Sequence, residues 1–401
     1  MSILIINKTA YSKSPYDRWL KETDEDLIML TSSKRKEECS NYKEAYFFEN
    51  YEKNCGIEIQ ALELYNKHKF QKIIALSEYD LLRAARLREA LNVKGQSLKS
   101  AIAFRDKIIM KEYLKAKDIN VPTFSRIESA IDIYNFIKKN SYPVVIKPID
   151  GMGSIGATVL HNDKELMNYL TNGLKPNMEI ETFVEGDMYH IDGLILNEKV
   201  VHCWPSKYVN GCLAFHQEDI LGSYQLDPSN PLTKKLISFT KDVLEALPTP
   251  ENTSFHAEVF HTPNDELVFC EIASRTGGGL VRQAIQQGFG FDINQLVVEA
   301  QCDLEVNFPR HLVGKGPSSP SGWLLIPPKK GRLKKIPTAP SIDWVKKKEI
   351  SAKLNQEFDG STSSVDAIAG FCIVGTSEKQ LNSRIQDLAV WFNKSTVWES
   401  I

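Results

Sequence analysis

Along the first hundred residues, short apolar runs (Ile3 to Ile6, Leu27 to Leu30, Ala45 to Phe48, Ile73 to Leu76) alternate with longer polar stretches. Unbroken apolar runs separated by helix-length spacers are the pattern of strands covered on both faces, so this segment predicts a small parallel α/β domain. Its last helix, expected over Tyr79 to Leu91, sets Leu82, Ala85 and Leu91 near one face and Arg83, Arg86 and Arg88 largely outside it. The pattern then predicts a compact α+β unit: a helix over Phe104 to Lys117, a strand over Thr123 to Ile127, a helix over Ile131 to Asn140, and the strand Tyr142 to Pro148. From about residue 178 to 226 strands dominate, with a turn at Asn197 and Glu198, which predicts an antiparallel sheet. A helix follows from Pro231 to Leu247, capped by Asn230 with proline at its first position. The Gly, Pro and Ser cluster from Gly314 to Gly322 is expected to set off a small C-terminal piece.

The strand YPVVIKP ends on Lys147 and runs into the loop DGMGSIG, Asp150 to Gly156, after which a second strand is expected over Ala157 to His161. A dinucleotide fingerprint requires its glycines to open a helix. Here Gly151, Gly153 and Gly156 lie between strands, so Ser154, the backbone N–H groups of the loop and the Lys147 ammonium are placed to cover phosphate oxygens.

Further on, FHAEVF (Phe255 to Phe260) and LVFCEI (Leu267 to Ile272) read as a hairpin turning between Asn264 and Asp265. That register puts Glu258 opposite Glu271 on one face and Ala257, Val259, Val268, Cys270 and Ile272 on the other. Facing carboxylates repel, and a divalent cation such as Mg²⁺ removes the repulsion while leaving positions for substrate phosphates. Arg275 follows four residues after Glu271, where it can neutralise an anion beside such a metal.

Composition narrows the classes. Hydrophobic residues make up 42% and charged residues 25%, as in a soluble globular protein, and the length favours two or three domains. Lys plus Arg (49) balances Asp plus Glu (51), so no global field favours nucleic acid or an anionic membrane. The seven cysteines, Cys212 among them, are scattered without a Cys-x-x-Cys pair, and are expected to be reduced in a cytoplasmic protein. No stretch approaches the roughly 18 apolar residues of a membrane span.

Taken in order, Lys107 within Arg105-Asp106-Lys107, Lys147 with its glycine loop, the acidic strand end at Glu181, and Glu258, Glu271 and Arg275 resemble the ATP-grasp superfamily, most of all its carboxylate–amine ligases that join amino acids. The resemblance implies a pre-ATP-grasp domain over 1–103, an ATP-grasp core over 104–303 and a C-terminal subdomain over 304–401. It implies that Lys107 and Lys147 contact ATP phosphates, that the hinge Glu181, Phe183 and Val184 holds adenine, that Glu258 and Glu271 bind Mg²⁺ or Mn²⁺, and that Lys147 and Arg275 serve phosphoryl transfer. Two departures stand out: Met188 replaces the family's ribose-binding glutamate, with Asp187 or Glu185 as substitutes, and Ala273 occupies a third metal-ligand position. Glu78, His190, Trp204, Arg275 and Arg282 are the candidate substrate-lining residues. Small-molecule carboxylate and amine substrates are implied, with a homodimer. The alternatives are a carrier-protein thiol acceptor meeting the basic run Lys329 to Lys335, a small-metabolite carboxylation, and an ATP-binding regulator with a decayed site.

Overall fold

The computed structural model describes residues 2–211, 219–338 and 342–401; Cys212 lies outside the described residues. The N-terminal unit is a parallel four-stranded sheet ordered Glu44–Phe48, Asp26–Ser32, Ser2–Asn7, Lys72–Ala75. Ser2–Asn7 is buried at every position, which is why it reads as a continuous apolar run rather than an alternation. Helices Gly56–His68 and Leu81–Leu91 cover this sheet through Ile57, Ala61, Leu64, Ala84 and Leu87.

The polar face expected on Leu81–Leu91 is corrected by the structure, since Arg83 and Arg88 are buried. Arg83 pairs with Asp80 at 2.5 Å, and Arg88 Nε donates to the Ile73 carbonyl at 3.2 Å. The Arg83 pair is an i,i+3 contact with the N-cap residue of its own helix, whereas Arg88 reaches a strand carbonyl that helical periodicity does not register. A short helix, Leu98–Ala103, follows, and the helix expected over Phe104 to Lys117 begins three residues later than expected: Asp106 accepts the backbone N–H groups of Ile108 and Ile109, so Lys107 becomes the first residue of Lys107–Lys115.

A second, smaller sheet is antiparallel and ordered Phe124–Ile127, Met178–Thr182, Val144–Pro148, Thr158–Leu160. With helices Ala130–Asn140 and Asp163–Thr171 it encloses its own core, including Ile133, Phe136, Ile146, Leu166 and Ile180. The glycine-rich segment connects two of its strands, as expected, and takes left-handed backbone at Gly153, Ser154 and Gly156 (φ 59°, 57° and 77°).

The largest sheet has eight antiparallel strands in the order Leu267–Ala273, Thr253–His261, Asp187–Leu196, Lys199–Tyr208, Leu221–Gln225, Ser321–Ile326, Ala369–Val374, Val345–Ile350. The C-terminal piece is therefore not set off by the Gly, Pro and Ser segment, because three of its strands extend the sheet begun before it. Asn197 and Glu198 both have positive φ (50° and 64°), the backbone of a two-residue hairpin turn. Glu258 does pair with Glu271, but a bulge follows and Val259 pairs with Phe269. Cys270 is the extra residue, and the bulge turns it towards the cleft rather than into the opposite face. A three-stranded sheet, Glu357–Asp359, Lys330–Lys335 and Val397–Glu399, completes the C-terminal region. Among the described residues no helix is long and apolar enough to cross a membrane.

Gly193 marks the tightest point of the large sheet. A Cβ there would lie 2.1 Å from Phe255 Cζ and 2.4 Å from the His202 carbonyl oxygen. Gly193→Ala is expected to destabilise the protein by about 1–3 kcal/mol through overpacking, read as a lower urea midpoint with an unchanged slope.

Candidate active site

The small sheet stands over the large one and leaves a cleft of about 810 Å³. Lys147, Gly151, Ser154, Glu181, Phe183, Val184 and Asp187 line it from the small sheet and hinge, Lys107 from its helix, and Glu258, Cys270 and Glu271 from the bulged hairpin. Residues drawn from four separate stretches of sequence thus share one space. Gly153 and Gly156 shape the loop without lining the cleft: the Gly153 carbonyl accepts the Ser364 N–H at 3.0 Å, and a Cβ at 153 would sit 2.8 Å from Ser363 Oγ.

Beneath the glycine loop lies a buried cluster of opposite charges. Lys147 donates to Glu181 at 2.5 Å and lies 3.8 Å from Glu179. Lys111, wholly buried, donates to Glu179 at 2.9 Å and to Glu181 at 2.5 Å. Burial disfavours the Lys147 ammonium, but the carboxylates around it, Glu181 foremost, outweigh burial and hold its pKa well above the usual lysine value. Burial raises Glu181 in turn, and Lys147 and Lys111 together bring it below the ordinary carboxylate range. Sequence reasoning missed Lys111, although its spacing was a signal: four residues after Lys107 in one helix, it projects from the same side.

Across the cleft, Lys107 Nζ donates to the Gly151 carbonyl at 2.9 Å and pairs with Glu271 at 3.0 Å, joining the glycine loop to the bulged hairpin. Against the upward push of burial, Lys107 and then Lys147 lower the Glu271 pKa to about 2. The Tyr208 hydroxyl donates to Glu258 Oε1 at 2.9 Å. Glu258 and Glu271 are hard oxygen donors facing one cleft that also holds two lysines, a donor set that fits Mg²⁺ shared with phosphate oxygens.

Of the other candidates, Arg275 is held by Glu78: its Nε donates to that carboxylate, and its Nη1 to the Thr276 carbonyl at 2.9 Å. Glu78 also pairs with Arg105 at 2.5 Å, and Arg105 reaches the Asp150 carbonyl at the start of the glycine loop. Burial raises the Glu78 pKa, but the two guanidinium groups overcome it and keep the carboxylate charged. Glu78 thus anchors two arginines. Three further candidates lie away from the cleft. Arg282 pairs with Asp292, stacks on Trp19 and donates to the Lys13 carbonyl, fastening the N-terminal segment. Trp204 is buried and donates to the Leu226 carbonyl at 3.1 Å. His190 is buried behind the cleft, 2.5 Å from both Asp192 and Ser223 Oγ. Asp187 lies at the cleft mouth, paired with Lys207 at 2.6 Å, next to Met188 and Glu185.

The fold is that of an ATP-grasp unit, and the comparisons agree. Residues 104–279 match the ATP-grasp domain family. This part of the chain belongs to that family, and the resemblance drawn from the sequence holds. The L-arginine-specific L-amino acid ligase of Bacillus subtilis is 26% identical over 293 residues, 71% of this chain and 69% of that protein. The carbamoyl phosphate synthase large chain of Caldanaerobacter subterraneus subsp. tengcongensis is 32% identical over 115 residues, 27% of this chain and a 10% share of that much longer protein. Among solved structures, an L-amino acid ligase from Bacillus licheniformis superimposes with a TM-score of 0.79 at 17% identity, covering 100% of this chain and 99% of that one. The N5-carboxyaminoimidazole ribonucleotide synthetase of Thermotoga maritima does so with a TM-score of 0.68 at 16% identity, covering all of both chains. At these identities the two structures speak for the fold.

Lys111→Met should lower stability by about 3–5 kcal/mol, the usual cost of stranding a buried charge, with calorimetric melting as the check. Acid should act through Glu271. Its folded pKa lies below the unfolded value of 4.5, so its contribution is complete above 4.5 and is lost as pH falls through about 2. The melting-temperature gap between wild type and Glu271→Gln should therefore narrow over that interval.

Proposed function

We propose that the protein is an ATP-dependent carboxylate–amine ligase, forming ADP and an acyl phosphate before an amine, an amino acid in our reading, displaces phosphate. The observation that carries this is the convergence of Lys107, Lys147, Glu258 and Glu271 on one cleft under a glycine loop, with Arg275 anchored beside them. Phosphoryl transfer of this kind depends on positioning and on neutralising charge, and it needs no enzyme nucleophile. The sequence similarity to an L-amino acid ligase over 71% of the chain supports the acceptor class.

In this reading Lys107 and Lys147 hold the ATP phosphates, and the glycine loop covers them and excludes water from the acyl phosphate. Glu258 and Glu271 would hold Mg²⁺, which when bound neutralises phosphate charge. Arg275, its plane set by Glu78, faces the substrate carboxylate and the charge that develops on it. The hinge Glu181 to Val184 takes adenine, with Asp187 or Glu185 at the ribose in place of the family's glutamate.

A Ser-His-Asp arrangement does occur behind the cleft. Ser223, His190 and Asp192 are linked at 2.5 Å each. Ser223, however, is fully buried beside a cavity of about 10 Å³, room for about one water, so it meets no substrate. The carrier-protein reading gains nothing from the basic run: within it Arg332 is paired with Glu357 and Glu399, and Lys334 with Glu399.

Incubation with Mg²⁺, ATP and pooled amino acids is expected to release ADP and phosphate in step with a new condensed mass. AMP and pyrophosphate as products, or no turnover with any acceptor despite ATP binding, would overturn the reading. Glu271→Ala and Arg275→Ala should each lower the rate of ADP release by roughly 10²–10³ while keeping the wild-type circular dichroism. Lys147→Ala should weaken ATP binding in calorimetry, and more than Lys107→Ala does.

A further inference from the structure

Behind the cleft, four side chains on one face of the large sheet form a block of alternating acids and histidines. His190 and Asp192 come from Asp187–Leu196, and His256 and Glu258 from Thr253–His261; the register sets Asp192 opposite His256 and Glu258 opposite His190. All four are buried. Asp192 accepts from both rings, with His190 Nδ1 at 2.5 Å from one oxygen and His256 Nδ1 at 2.8 Å from the other. The far side of the His190 ring meets Ser223 Oγ at 2.5 Å. The far side of the His256 ring lies 3.6 Å from Glu258 Oε1, the same oxygen that accepts the Tyr208 hydroxyl.

We infer that Asp192 is a positioning residue for Glu258: by fixing the ring plane of His256, it aims His256 Nε2 at Glu258 and holds that carboxylate in the orientation that receives a divalent cation. The inference rests on the ligase reading, which places the cation there. A histidine beside a carboxylate can turn about its terminal torsion. Asp192 prevents this because its two oxygens are each occupied by a different ring, and Ser223 fixes the second ring from behind. Partners of this kind behind metal-binding side chains typically change metal affinity by about 10–100-fold when removed.

A second observation shows how closely the pair is enclosed. A Cβ at Gly277 would lie 2.6 Å from His256 Nδ1 and 3.0 Å from Asp192 Oδ1. Only glycine lets this segment pass over the pair, and Gly277→Ala would push directly on the Asp192 to His256 hydrogen bond without removing an ionisable group.

The test is calorimetric titration of wild type, Asp192→Asn and Gly277→Ala with a non-hydrolysable ATP analogue, once with Mg²⁺ and once with EDTA, with melting temperatures as the check on folding. The quantity read is the ratio of the two affinities. Both variants are expected to reduce that ratio by about tenfold or more while binding the analogue normally in EDTA. An unchanged ratio in folded variants overturns the positioning role, as does an equal loss with and without Mg²⁺, which is what a merely structural role produces. Metal retained by the protein without nucleotide and lost in Asp192→Asn also overturns it, in favour of an ion held by His190, Asp192 and His256 themselves, whose ligand atoms lie within 4.8 Å of one another. If wild type gains no affinity from Mg²⁺, the metal assignment of the ligase reading has failed instead.

Discussion

Lys111 has no exposure to solvent and lies between Glu179 and Glu181, with Lys147 on the other side of the same two carboxylates. A group of four charges at this depth persists only if each is matched, because a stranded buried ion costs several kcal/mol. The match is made between elements rather than within one: Lys111 from the helix Lys107–Lys115, Lys147 from one strand of the small sheet, and both glutamates from the neighbouring strand. The cluster therefore fastens the small sheet to the helix that carries Lys107. Lys107 in turn reaches the glycine loop and Glu271 on the large sheet.

The cleft can be understood as a continuation of that pairing. Each lysine that lines it already has an anion behind or beside it, Glu181 for Lys147 and Glu271 for Lys107, and Arg275 nearby has Glu78. In the proposed reading, the negative charge that a nucleotide would bring is met by the cation that Glu258 and Glu271 would hold. The same arrangement explains why the N-terminal unit contributes to the site while lining none of the cleft. Glu78, just past the strand Lys72–Ala75, holds both Arg275 and Arg105, and Arg105 meets the first residues of the glycine loop. Arg275 and the glycine loop are thus linked through Glu78 and Arg105.

Contacts from the C-terminal region reach the same loop. The Ser364 N–H bonds to the Gly153 carbonyl, and Ser363 and Ser364 are buried although they lie in a connection between strands. Three C-terminal strands continue the large sheet, so this region is built into the sheet that carries the carboxylates rather than appended to it.

What the sequence by itself determined was local and periodic. Apolar runs marked the parallel strands, Lys147 and the glycine loop were legible as a strand and a turn, and the two-residue periodicity of the hairpin brought Glu258 opposite Glu271. These follow from short-range geometry, which every chain of that pattern obeys. Tertiary structure decided everything that depended on which element lies next to which. It buried Arg83 and Arg88, the latter on a strand carbonyl, and it turned Cys270 into the cleft through a bulge that alternation alone does not signal. It joined Glu78 to Arg105 and Arg275 and sent Arg282 to Asp292. Above all it assembled Lys111, Lys147, Glu179 and Glu181 from separate segments. A charged side chain carries no mark in the sequence of the partner it will need, and only packing, through the cost of an unmatched buried charge, selects that partner.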